Sequence, residues 1–236
     1  MGARRVALVT GGAGGIGRAV VRGLRGDGLA VAVLDLEPAA DSWPARGGDD
    51  PPVLAVRVDV ADADAAVAAV RTVEAELGPV DVLVNNAGVM HKKPLGDTTL
   101  ADWDAEMAVN ARAAFVLCRE IVPAMADRGD GVVVNVASIW ADRGGPDRVA
   151  YIAAKHALLG LTRALAAEFG GRGVRVNAVS PGPVRTPMTA GLGGDQSAWL
   201  APEEVADAVR YLCGGGARGV RGANLEVFGR GRPAGL

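Results

Sequence analysis

A hydroxyl, a phenol and an ammonium can meet over residues 138–155, SIWADRGGPDRVAYIAAK. Tyr151 and Lys155 stand four residues apart in a run rich in helix formers, so both side chains project from one helical face. Ser138 comes 13 residues before Tyr151, at the end of the apolar run 131–137, which reads as a buried strand. A phenol with an ordinary pKa of about 10 exchanges protons poorly at neutral pH. A neighbouring cation stabilises its phenolate, and Lys155 is placed to be that cation. The chemistry expected of the trio is proton transfer at an oxygen, and the competing reading of the Tyr–Lys spacing is a surface helix pair.

A second signature lies near the amino end. The apolar run 6–9 leads into Thr10-Gly-Gly-Ala-Gly-Gly-Ile-Gly17, and helical spacing follows over 18–25. In a strand, glycine turn and helix of this kind, glycines let the backbone approach a pyrophosphate, and the helix start attracts its charge. Two registers fit. Gly12, Gly14 and Gly17 match G-x-G-x-x-G, whereas Gly11, Gly15 and Gly17 match a wider T-G-x-x-x-G-x-G; both point to a dinucleotide. The run 29–34 ends in Asp35, 18 residues after Gly17, where a carboxylate can accept hydrogen bonds from the adenosine ribose. Leu36 follows, and no basic residue lies within 11–15, so a 2′-phosphate would meet repulsion. NAD is therefore favoured over NADP.

The elements that must position these groups show as alternating patterns. Strand-like runs recur over 53–58, 80–84, 174–179 and 224–228, and helical patterns over 61–77, 102–125 and 202–213. Pro38, Pro44, Pro51 and Pro52 make the crossover between Asp35 and Asp59 short or broken. Asn85-Asn86-Ala87-Gly88 follows a strand with small residues suited to an adenine, and His91, Lys92 and Lys93 put positive charge on the ligand-binding side of the sheet. Asn110 is a polar residue set among apolar ones, either a satisfied buried amide or part of a site. The alternation predicts an α/β, Rossmann-type, doubly wound and mostly parallel sheet of about seven strands with helices on both faces. One domain over 1–229 and a flexible tail over 230–236 are expected.

Composition narrows the partners. The 236 residues are 50% hydrophobic with net charge −2, which suggests neither a nucleic-acid tail nor a membrane-surface patch. Cys118 and Cys213 are isolated, without metal-ligand spacing, and read as buried structural thiols in a reducing cytoplasm. The run 6–9 is too short for a signal peptide and no stretch reaches membrane-spanning length, so a soluble cytoplasmic protein with a small-molecule partner is expected.

Together these motifs resemble the classical short-chain dehydrogenase/reductase family from residue 6 to about 229. The resemblance rests on Thr10-Gly11-x-x-x-Gly15-Ile16-Gly17, Asp59-Val60, Asn85-Asn86-Ala87-Gly88, Asn110, Ser138, Tyr151-x-x-x-Lys155, Asn177 and Pro181-Gly182 through Thr186, all in the family's order and spacing. It implies Tyr151 as general acid/base, Ser138 on the substrate oxygen, and Lys155 holding the nicotinamide ribose while lowering the tyrosine pKa. Asn110 would anchor a water in the proton relay. By the same resemblance Asp35 binds the adenosine ribose, Asp59 and Val60 the adenine, Asn86 and Ala87 the adenine side, and Val184 and Thr186 the carboxamide. It also implies a tetramer or dimer, with helices over 102–125 and 151–169 at one interface.

Two departures stand out. The segment after Asp35 is proline-rich, and about fifteen residues separate Thr186 from Pro202, where family members often form a helical lid. A short lid with Gly191, Gly193 and Gly194 suggests mobility, an open site and a bulky or carrier-bound substrate. Trp140, Met188, Leu192 and Trp199 are candidates for an apolar pocket wall, while Arg143 and His91 could face an anionic substrate group. The reading is an NAD(H)-dependent oxidoreductase interconverting a secondary alcohol and a ketone. Alternatives are an NADPH-dependent 3-oxoacyl-thioester reductase, a diol or dihydrodiol dehydrogenase, and a non-catalytic dinucleotide-binding regulator.

Overall fold

Each apolar run becomes a strand because valine-rich segments bounded by glycine, proline and aspartate pack well when both faces of a sheet are covered. The computed structural model describes residues 4–38, 43, 49–191 and 196–229. The tail over 230–236, Pro44 with most of the β2–β3 crossover, and Leu192, Gly193 and Gly194 lie outside these residues. Among them, β1 (Val6–Thr10), β2 (Ala30–Asp35), β3 (Val53–Arg57), β4 (Val80–Asn85), β5 (Gly131–Val136), β6 (Val174–Pro181) and β7 (Asn224–Val227) form one sheet. Its order is β3-β2-β1-β4-β5-β6-β7, and all six pairings are parallel.

Successive strand residues point to opposite layers. Val6 and Leu8 meet Val70, Val73, Leu117, Ile121 and Met125 from α2 (Ala63–Leu77) and α4 (Ala113–Arg128). Ala7 and Val9 meet Val20, Leu24, Val205, Val209 and Leu212 from α1 (Gly15–Gly26) and α6 (Pro202–Cys213). The helix α3 (Leu100–Met107) and the long α5 (Val149–Phe169) complete the α4 layer. No helix among the described residues is long and apolar enough to cross a membrane.

The helical pattern over 102–125 resolves into α3, a wide π turn over Ala108–Arg112, and α4. Asn110, in that turn, is buried and reaches Val89 in the segment after β4. Both cysteines are buried, and burial pushes each thiol up to about 12, so they are inert packing residues as expected. A polar chain also crosses the core: Asn85 Nδ2 donates to Asn135 Oδ1 (2.8 Å), Asn135 Nδ2 to Thr162 Oγ1 (2.8 Å), and Thr162 to the Leu158 carbonyl (2.8 Å).

Candidate active site

The sheet order reverses at β1 and β4, where connections leave for opposite faces and open a crevice at the carboxyl ends of the strands. The glycine turn sits there, and its geometry selects one register. Gly11 and Gly15 adopt φ of 62° and 35°, and a Cβ on Gly17 would lie 2.0 Å from the Gly11 carbonyl oxygen. Gly14 has open space around its Cβ position. The wide spacing of Gly11, Gly15 and Gly17 is thus the constrained one. Helix α1 starts at Gly15 with no acidic residue in its first turn, so its positive end is uncompensated.

The turn is fixed from two sides. Asp35 Oδ2 accepts from the Ala13 N–H at 3.0 Å. The Thr10 hydroxyl accepts from the N–H groups of Asn86 and Ala87, both at 3.0 Å, while Asn86 Nδ2 donates to the carbonyls of Thr10 (2.9 Å) and Gly11 (3.0 Å). A cleft of about 650 Å³ runs from this turn to the catalytic trio. It is lined by Gly11, Gly15, Ile16, Asp35, Asp59, Val60, Asn86, Ala87, Gly88, Pro181, Gly182, Val184 and Thr186, and at the far end by Ser138, Tyr151 and Lys155. Donors at a helix start, close-approach glycines and a carboxylate at the second strand fit a dinucleotide.

At that far end the fold explains why two ionisable groups are buried. On α5 the residues Tyr151, Lys155, Leu158, Thr162 and Ala166 form one buried stripe, so the pair continues the face that packs on the sheet. Lys155 Nζ donates to the Val136 carbonyl at 2.9 Å and lies 5.6 Å from the Tyr151 ring centroid. Desolvation lowers the Lys155 pKa to about 8. For Tyr151 the net push is upward: burial dominates, hydrogen bonding from Ser138 and the charge of Arg148 oppose it, and the charge of Glu106 adds to it. The lowering expected from Lys155 does not appear: burial dominates the phenol, and the charges that act on it are those of Arg148 and Glu106. Asn110, buried, clasps one residue, accepting from Val89 N–H (3.1 Å) and donating to Val89 C=O (2.9 Å).

The proposed substrate contacts divide. Trp140 and Met188 line the cleft; His91, Arg143 and Trp199 do not. His91 turns to buried Glu106, whose Oε1 takes its backbone N–H and lies 3.1 Å from Nδ1. Burial holds the Glu106 carboxyl above its ordinary range. Lys93 is held by both carboxylate oxygens of Asp102 (2.9 and 2.7 Å), and Lys92 is exposed. Arg143 pairs with Glu226 and Asp142. Trp199 belongs to a loop whose ends are tied together, Arg185 N–H to the Leu200 carbonyl and Leu200 N–H to the Pro183 carbonyl, both at 2.9 Å. Sequence reasoning missed Arg148, which lines the cleft, and Glu106; a glutamate at a buried helical position was the available signal for the latter.

With this geometry in place, comparison with known proteins defines the class. The family model for short chain dehydrogenase matches residues 5–197, and the chain belongs to that family. It is 38% identical to the D-threitol dehydrogenase of Mycolicibacterium smegmatis over 238 residues, covering 95% of this chain and 92% of that protein. Among solved structures it is similar to levodione reductase, with a TM-score of 0.89, 30% identity and coverage of 97% and 98%. It is also similar to a protein from Beutenbergia cavernae described as an NAD(P)-dependent gluconate 5-dehydrogenase, with NADP bound at low occupancy. That match has a TM-score of 0.87, 38% identity and 95% coverage of each chain.

Proposed function

We propose that the protein is an NAD(H)-dependent oxidoreductase that interconverts a secondary alcohol and a ketone. The observation that carries this reading is the single cleft joining the glycine turn and Asp35 at one end to Ser138, Tyr151 and Lys155 at the other. When bound, the nicotinamide accepts or returns the hydride of the alcohol carbon. Tyr151 takes or gives the hydroxyl proton, and Ser138 hydrogen-bonds the same oxygen as charge develops on it. Lys155, anchored on Val136, holds a cation beside the phenol, and a water against Asn110 would extend the proton path. NAD is favoured by the carboxylates of Asp35 and Glu37 together with exposed Leu36; Arg57, the nearby cation, is paired with Glu37 at 3.1 Å. The NADP in one structural neighbour makes this choice a matter for measurement.

We also propose a homo-oligomer. Between α3, α4 and α5 lies a surface depression lined by Met107, Phe115, Ala157 and Leu161, with Phe115 half exposed. A mostly apolar hollow of this kind, with Asp104 and Arg112 also in its lining, suits a second copy of the same face.

Tyr151→Phe tests the activity. The variant is expected to lose about 10²- to 10⁴-fold in kcat while binding NADH within a few-fold of the wild type, by fluorescence titration. Full turnover in the variant removes Tyr151 from the role of acid/base.

A further inference from the structure

We propose that Arg148 is an anion-recognition residue and that the substrate is a secondary alcohol or ketone carrying a carboxylate close to the reacting carbon. The inference rests on the oxidoreductase reading above and adds the substrate class.

Arg148 is the last residue before α5 and lines the cleft with Trp140, Tyr151 and Met188. It stands three residues before Tyr151 and shares the phenol's end of the cleft, near enough for its charge to act on that group. A group held by the guanidinium is therefore only a short carbon chain away from an oxygen held by the phenol. The arginine is in no ion pair among the described residues, and its Nε, like Nη1 of Arg143, is buried without a hydrogen-bond partner. Its Cζ lies 5.0 Å from the centre of the Trp140 ring, so the flat face rests on an aromatic while N–H groups remain for a ligand.

Of the neighbouring acids, Glu106 turns to His91, Asp102 to Lys93 and Asp142 to Arg143, and the adjacent Asp147 makes no ion pair with Arg148. The positive charge is therefore left to the cleft, where it acts on the Tyr151 phenol. The mount is also firm. Asp147 sits at φ 60°, a conformation aspartate tolerates, and its carbonyl accepts from Lys93 N–H at 2.8 Å. A Cβ at Gly145 would come within 2.5 Å of the Trp140 ring, so the glycine admits the platform beneath the guanidinium. A planar fork of this kind with an unused N–H matches a carboxylate in geometry and charge.

The test uses hydroxy acids of four to eight carbons, each paired with its primary amide, beginning with 3-hydroxybutanoate and 3-hydroxybutanamide. The wild type is expected to prefer the acid by about 10- to 100-fold in kcat/KM, mostly through KM. Arg148→Met should remove that preference, losing about 10- to 100-fold more on the acid than on the amide, and Arg148→Lys should restore part of it. Equal turnover of acid and amide by the wild type, or an equal loss on both in Arg148→Met, overturns the proposal. Binding is read separately as quenching of tryptophan fluorescence by the matching keto acids with NAD bound, a pair that cannot react. Saturable quenching by keto acids alone, abolished in Arg148→Met, supports the anion site even if no compound turns over and the oxidoreductase reading falls. Turnover without acid preference leaves that reading standing and sinks this one.

Discussion

Burial moves Tyr151 and Lys155 toward their neutral forms, the phenol upward and the ammonium downward to about 8. Unfolded lysine titrates near 10.4. Between these values the folded protein has lost a proton that the unfolded chain still holds, so stability rises with pH across that window, and the cost of burying the ammonium is complete below it. Urea unfolding should show wild type gaining about 2 kcal/mol on Lys155→Met between pH 8 and 10. A constant gap would mean that the ammonium is solvated. Asp35→Ala should weaken NADH binding and narrow the preference over NADPH, by titration with both; equal affinity of the wild type for the two would remove the argument from Asp35. The trio could be read from the sequence because its spacing is local. Arg143 and Arg148 could not be told apart, because the partner that neutralises Arg143 is Glu226, 83 residues away.

At the scale of elements, α5 does two jobs with one stripe, packing on the sheet and presenting Tyr151 and Lys155. The chain from Asn85 through Asn135 to Thr162 ties β4, β5 and α5 into fixed register behind them. Asn135→Ala leaves Asn85 Nδ2 without its acceptor, its other contact being Cys118 Sγ at 3.7 Å. The substitution should cost about 1–3 kcal/mol in chemical unfolding, with the dinucleotide Kd within about threefold of wild type. The strands were legible because both faces are covered and their runs are continuously apolar. The π turn was not, since one extra residue leaves the helical composition around Asn110 unchanged.

At the scale of the molecule, alternation of patterns predicts the doubly wound sheet, and right-handed crossovers leave few orders to choose from. Alternation carries no information on which outer helix face meets another copy, because an exposed phenylalanine on its own is ordinary. Phe115→Glu puts a charge in the hollow between α4 and α5. If that face is an interface, light scattering on the eluting protein should show a smaller particle than wild type at equal concentration. An unchanged mass moves the interface elsewhere or removes it.

The bonds between Thr10 and Asn86 span the ends of β1 and β4, closing the crevice floor with contacts internal to the chain. The amide hydrogens of Asn86 and Ala87 are thus occupied before any ligand arrives. They should exchange slowly with solvent deuterium in the free protein, and little faster than in the dinucleotide complex, so association need not wait for that floor to order.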